Sequence, residues 1–392
     1  MSLTDSQRDW LALAMVPGVG TTYFIKLLAR FGSPSQVLRA SEAALREVVG
    51  PKLAQRIRTY QGVVDVAEQE RRMAQYDTRL ITMDDPDYPP LLAEIYDPPL
   101  VLFVRGNFGE PDQHCLAVVG TRRPTRYGAR MADQLGGDLA ARGITVVSGM
   151  AAGVDAAAHR GAMRVGGRTM AVLGCGVDIV YPSENAELMH EIIQHGCVVS
   201  QFFMGIKPSK GHFPFRNRLI SGLSQGTLVI EAPPGSGSLI TARRAAEQGR
   251  EVFALPGHAG EWNSRGPHAL IREGAKLVES VEDIVVELDL PAPMHLPVAD
   301  EALVAPAVDV SGPSPAPQAP PAAARTTPSP PVPAISPMEK DVLGVLSPDG
   351  SFVDEIALAC RISVSEALSS LTMLELKGLV RQFSGKRFAP AS

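Results

Sequence analysis

Cysteine is scarce in this sequence of 392 residues: Cys115, Cys175, Cys197 and Cys360 are the whole set, with no CxxC pair and no short metal-ligand spacing. That argues against a disulfide framework or a structural zinc and fits a reducing, cytoplasmic setting. Long apolar runs are missing too. No stretch approaches the roughly 18 residues of a spanning helix, and MSLTDSQRDW lacks a basic segment leading into an apolar one, so neither a membrane span nor an export signal is expected. Positive charge is not in excess: the net charge of −5 excludes a uniformly basic nucleic-acid coat and directs attention to local patches. Aromatics amount to 5%. Hydrophobic residues at 45% and charged residues at 20% are those of a globular chain, which excludes wholesale disorder.

The length allows about two to four domains, and composition divides the chain into four segments. Residues 1–78 show helical apolar periodicity punctuated by two glycine turns, Pro17-Gly18-Val19-Gly20 and Val49-Gly50-Pro51-Lys52. This spacing predicts either a SAM-like or helix-hairpin-helix domain, a motif whose turns offer backbone N–H groups to phosphate, or a small all-helical domain whose glycines only turn the chain. Residues 79–290 carry β-branched runs at Leu116–Val119, Ile144–Val147, Met170–Leu173, Cys197–Ser200, Thr227–Ile230 and Glu251–Leu255, with helical stretches between. Continuous apolar strands alternating with helices predict a parallel, doubly wound α/β sheet of Rossmann-like type, with ligands at the strands' carboxyl ends. Residues 291–337 contain 14 of the 33 prolines and almost no charge, the composition of an extended linker. Residues 338–392 read as three helices and a hairpin turning at Ser384-Gly385-Lys386, a winged helix. Its would-be recognition helix, Val364 to Lys377, has a single cation, which favours protein contact over groove reading.

The strand ends hold the unusual residues. GTRRPTRYGAR (120–130) stands where a dinucleotide-binding protein has GxGxxG, but Gly120 and Gly128 are too far apart for one tight turn, and Arg122, Arg123, Arg126 and Arg130 crowd the segment. Four arginines suit a polyphosphate chain. SGMAAGVDAAAH (148–159) opens a helix on which Asp155 and His159, four apart, share a face; an acid–base pair or two metal ligands is one reading, a carboxylate placed for the helix dipole the other. KPSKGHFPFRNRLISGLS (207–224) interleaves Lys207, Lys210, His212, Arg216 and Arg218 with Phe213 and Phe215, a mixture that neutralises phosphates while stacking unpaired bases. In EAPPGSGSLITARRA (231–245), Ser236, Gly237 and Ser238 precede a helix expected from about Leu239 and can offer amides and hydroxyls to a phosphate.

GTRRPTRYG, SGMAAGVDAAAH, GCGVDIVYPSEN (174–185), FPFRNR, EAPPGSGSLITA, LPG (255–257) and LIREGA (270–275) follow one another as the motif series of the DprA/Smf family, the DNA-processing proteins of natural transformation, and the chain resembles that family over about residues 80–288. The flanking domains resemble optional appendages of the family. The resemblance implies an extended Rossmann domain that binds and protects single-stranded DNA, forms a homodimer and loads RecA, with no chemistry and no cofactor. It implies single-strand contacts at Gly120, Thr121, Arg122, Lys210, Phe213, Arg216, Asn217 and Arg218, with Ser148 and Gly149 matching by position only. Leu270, Ile271, Val278, Val281, Ile284, Val285 and Leu288 have the spacing of an apolar face, which either packs onto its own sheet or forms an interface, and the resemblance implies the second, a dimer and RecA surface at the last edge of the sheet with His268, Arg272 and Leu277. Thr121, where many relatives have serine, and Pro233-Pro234 depart from the family pattern.

An enzyme of related fold, a nucleoside-monophosphate phosphoribohydrolase, is the alternative. Its PGGxGTxxE signature meets PPGSGSLIT here, which ends in Thr241 where the glutamate is required.

Overall fold

The computed structural model describes residues 3–109, 112–289, 336–347 and 351–360, with scattered positions from there to 390. The chain divides between Val304 and Ala305 into two compact units.

The first unit opens with six helices: α1 (Asp5–Met15), α2 (Thr21–Phe31), α3 (Pro34–Arg39), α4 (Glu42–Val49), α5 (Pro51–Arg58) and α6 (Val66–Gln75). Their boundaries follow from capping chemistry. Thr4 and Gln7 form a capping box on α1, Ser33 and Ser41 cap α3 and α4, and Gly50, at φ 77°, ends α4 just before Pro51 starts α5. Trp10 packs on Phe24 at 4.9 Å, and its indole N–H donates to the Leu100 carbonyl at 2.8 Å. The apolar core of these helices runs on without a break into Leu80, Phe103, Leu173 and Val198, so helices and sheet share one interior.

The sheet has nine strands: β1 (Thr78–Thr82), β2 (Val101–Gly106), β3 (Cys115–Val119), β4 (Thr145–Ser148), β5 (Thr169–Val172), β6 (Cys197–Ser200), β7 (Gly226–Val229), β8 (Glu251–Ala254) and β9 (Lys276–Leu277). Between them run α7 (Pro90–Ala93), α8 (Arg126–Ala141), α9 (Val154–Arg164), α10 (Ala186–His195), α11 (His212–Gly222), α12 (Gly237–Glu247), α13 (Arg265–Arg272) and, after β9, α14 (Val281–Glu287). The spatial order is β1-β2-β6-β5-β4-β3-β7-β8-β9. Every pairing from β6 to β9 is parallel, and β2 is antiparallel to both its neighbours.

All six expected runs are strands. The sheet is mixed rather than purely parallel, because β1 and β2 enter ahead of the βα series across the proline-rich stretch from Pro86 to Pro99. β3 explains the continuous apolar pattern: Leu116 and Val118 pack against α8 and α9, while Ala117 and Val119 pack against α11 and α12. Strands are added in one direction from β3 to β6 and in the other from β7 to β9, so the crevice of a doubly wound fold lies at the carboxyl ends of the parallel neighbours β3 and β7.

The second unit contains α15 (Pro337–Gly344), β10 (Ser351–Phe352), α16 (Val353–Cys360), β11 (Val380–Phe383) and β12 (Arg387–Pro390), with helical positions between Val364 and Leu374. The three strands form an antiparallel sheet in the order β10-β12-β11, over a core that includes Val342, Ile356, Leu371, Leu374 and Phe388. Helices and hairpin together make a winged helix. The turn Ser384-Gly385-Lys386 and linker residues 291–335 lie outside the described residues. Among the described residues no helix is long and apolar enough to cross a membrane.

Candidate nucleic-acid interface

The turn after β3 is held by its neighbour across the switch point. Thr121 N–H donates to the Glu231 carbonyl at 2.7 Å, and Val154 N–H donates to the Thr121 carbonyl at 3.2 Å. Thr125 caps α8 and donates its own N–H and hydroxyl to the Glu231 carboxylate at 2.9 and 2.6 Å. Asn263 donates to that carboxylate at 3.2 Å and to the Arg123 carbonyl at 3.1 Å. Glu231 is itself buried, so a carboxylate fully engaged inside the protein fixes the backbone of an arginine-rich turn. Arg122, Arg123, Arg126 and Arg130 remain exposed on it. Sequence reasoning passed over Glu231 as the first letter of EAPPG; the available signal was an acidic residue directly after the buried run Thr227–Ile230.

The turn after β4 is built from inside. Ser148 is buried and donates its hydroxyl to the Val118 carbonyl at 2.6 Å. Gly149 and Ala151 donate their N–H groups to Asp155. Arg216 donates to the carbonyls of Gly149, at 3.0 Å, and Val172. A Cβ on Gly149 would lie 2.7 Å from that guanidinium, so a side chain there would displace Arg216.

Burial raises the Asp155 pKa, opposed by the charge of Arg216. Burial, helped by Arg160 and Arg216, lowers the His159 pKa to about 3, and its Nδ1 faces the Thr169 hydroxyl at 2.6 Å. Asp155 and His159 share a helix face without sharing a hydrogen bond. Asp155 organises a turn, and His159 is a neutral core residue.

α11 presents different residues on its two flanks. On one, Phe213 stacks on Tyr181 with ring centroids 5.4 Å apart, and the Arg122 guanidinium sits 5.6 Å above the Phe213 ring. A Cβ on Gly174 would come within 2.9 Å of Phe213, so glycine at the end of β5 makes room for the ring. Arg216 and Asn217 turn inward on this flank, Asn217 donating to the Gly237 carbonyl at 3.2 Å. On the other flank Arg218 covers Phe215 at 4.3 Å and donates to Gln201 Oε1 and the Asp97 carbonyl.

Two adjoining cavities, of about 130 and 240 Å³, open at this rim. Gly120, Arg122, Gly149, Phe213, Arg216, Asn217, Ser236, Gly237 and Ser238 line one or both. Ser236 caps α12, which begins at Gly237, two residues earlier than expected, and its hydroxyl lies 2.7 Å from that of Ser238. Thr121 is buried behind its turn, and Lys210 is exposed on the approach to α11.

Arg216 and Arg218 are buried, with relative exposures of 5% and 9%, one a strut under the cavity and the other held on the opposite flank. Burial also lowers the Arg216 pKa to about 10, which leaves it charged at neutral pH. Tyr181, unmarked within GCGVDIVYPSEN, joins the site.

At the far edge, β9 exposes Leu277 while Val278, Val281 and Ile284 pack into the protein's own core. The expected apolar stretch there is thus mostly internal. Arg272 is exposed, and His268 Nε2 faces both the N–H and the carbonyl of Gly257 at 3.3 and 3.0 Å. Val286, not foreseen, is 81% exposed on α14, whose Glu287 pairs with Lys276 of β9 at 2.8 Å.

Comparison with known proteins agrees with this architecture. The DNA recombination-mediator protein A family matches residues 79–289, the DprA winged helix domain residues 313–386 and the SAM-like helix-hairpin-helix tandem residues 11–59. The Smf protein of a Synechocystis species is 34% identical over 98% of both chains. The crystal structure of DNA processing protein A from Streptococcus pneumoniae is 35% identical and covers 73% of this chain and 99% of its own, with a TM-score of 0.64. The corresponding protein of Helicobacter pylori, described for its single-stranded DNA binding mode, is 30% identical over 55% of this chain and 97% of its own, with a TM-score of 0.50. With the motif series, the sheet order and matches of this extent, the chain belongs to the DprA/Smf family of DNA recombination-mediator proteins.

Proposed function

We propose that the chain binds single-stranded DNA at the carboxyl rim of the sheet, protects incoming strands and loads RecA onto them during natural transformation, as a cytoplasmic homodimer without turnover of its own. One observation carries the reading: Arg122, a cation on a fixed turn, lies over a Phe213–Tyr181 ring stack at the mouth of a cavity. A phosphate pairs with the guanidinium while an unpaired base lies against the rings, an arrangement closed to a base still in a duplex. The single-strand title of the Helicobacter pylori relative supports the same ligand. Anisotropy titration with labelled oligonucleotides is the test. Arg122→Glu is expected to weaken single-strand binding about thirtyfold, roughly 2 kcal/mol, and unchanged affinity would overturn the assignment.

The groups a hydrolase needs are otherwise engaged. Asp155 accepts backbone N–H groups, His159 is neutral, Glu231 is occupied by Thr125 and Asn263, and Thr241 is buried where the phosphoribohydrolase signature needs a glutamate. Release of base from nucleoside monophosphates by pure protein would favour the enzyme reading instead. The dimer is assigned to the β9 edge, where Leu277 and Val286 are exposed apolar side chains and Arg272 is an exposed cation on α13. The RecA surface is placed there with His268, Arg272 and Leu277 on the family resemblance.

A further inference from the structure

We propose that the bound strand continues over the far flank of α11 into a second groove, between the start of α2 and helices α11 and α12, where its bases stack on Phe215, Tyr96 and Tyr23. The inference rests on the reading of the rim as a single-strand site and assigns that site a second half.

The groove has a volume of about 670 Å³, larger than either rim cavity, and both Tyr23 and Tyr96 line it together with Phe215, Arg218 and Arg244. Tyr96 is 101% exposed, so no side chain among the described residues shields its ring, while Tyr23 and Phe215 are 40% and 47% exposed. In a chain with only 5% aromatics, three rings exposed to this extent in one groove, Phe215 with Arg218 over one face, are an unfavourable way to face water unless something planar covers them.

The aromatic surface is also continuous with the rim. Phe202 stacks on His212 at 4.4 Å and meets Phe215 edge-on at 6.4 Å, so rings lead from Phe215 to His212, the residue next to Phe213 at the start of α11.

Charge in the groove identifies the part of the ligand it takes. Its carboxylates are paired, Asp97 with Arg218 at 3.6 Å and Glu247 with Arg244 at 2.7 Å, which leaves the floor near neutral. Cations stand at the far end: Lys26 lies 6.0 Å from the Tyr23 ring centroid, and Arg56 donates to the Pro17 carbonyl at the first glycine turn. A near-neutral aromatic floor with cations beyond it suits stacked bases followed by phosphate, and stacking of this kind tolerates any base. A peptide or a second copy of the chain would use the same rings through apolar contact.

The test uses the full chain and two oligothymidylates, of about six and about twenty nucleotides, within and beyond the span of a single binding groove. Tyr96→Ala combined with Tyr23→Ala is expected to leave the short oligonucleotide's affinity unchanged and to weaken the long one about tenfold. A 4-thiothymidine at one end of the long strand is expected to crosslink to Tyr96. Equal long-strand affinity in wild type and double variant, with no crosslink, overturns the proposal, as does a double variant whose only change is in sedimentation. Failure of the rim reading looks different: Arg122→Glu would then leave both lengths unaffected.

Discussion

The two flanks of α11 carry the same pairing, an arginine over a phenylalanine, and use it in opposite ways. On the Phe213 flank Arg122 comes from another turn and remains exposed, so its charge is available to a ligand. On the Phe215 flank Arg218 belongs to the helix itself, is held by Gln201 and Asp97, and is buried. A carboxylate beside the guanidinium turns a phosphate-binding group into a lid on a ring. The difference separates an electrostatic half of the surface from a stacking half.

Substitution of each ring sharpens this contrast. Phe213→Ala is expected to weaken binding of a short oligonucleotide about tenfold, in line with the loss of one base stack. Phe215→Ala should leave the short strand within about twofold, since its flank is engaged only by a longer strand. Equal losses in the two variants would erase the distinction. Glu231→Gln acts one step removed from DNA, because the amide accepts at one atom where the carboxylate accepts at two, and the Thr125 N–H or hydroxyl is left without its partner. About a threefold to tenfold loss of affinity is expected, with thermal stability lowered by the roughly 1–3 kcal/mol of an unsatisfied buried group. Unchanged binding and melting would remove Glu231 from its positioning role. At the β9 edge, Leu277→Arg is expected to shift sedimentation from dimer to monomer while leaving short-strand affinity within about twofold, because no rim residue moves. A variant that stays folded and dimeric would place the interface elsewhere.

Much of this was legible in the residues. Six strands announced themselves as runs buried on both faces, and the rim is composed of the segments that follow β3, β4, β5, β6 and β7. What composition could not supply was direction. Lys210, Phe213, Arg216 and Arg218 read as one mixed patch until α11 is known to begin at His212. Helical periodicity then places 213, 216 and 217 on one side and 215 and 218 on the other. Glu231 and Tyr181 were hidden for another reason: each acts through a partner more than thirty residues away, across a pairing that only the folded sheet creates. Similarly, Val278, Val281 and Ile284 have the spacing of an exposed or a buried face alike, and the packing of α14 on α8 decided it.

The central claim is that Arg122 meets a phosphate directly, and the salt dependence of binding tests it most closely. Taking Arg122, Arg123 and Lys210 as the cations that meet phosphate, about three phosphates are neutralised, and log affinity for a short strand should fall against log salt with a slope near −2, at −0.7 per contact. Arg122→Ala should make that slope shallower by about 0.7. A slope identical to wild type in this variant would contradict the account, whatever the change in affinity.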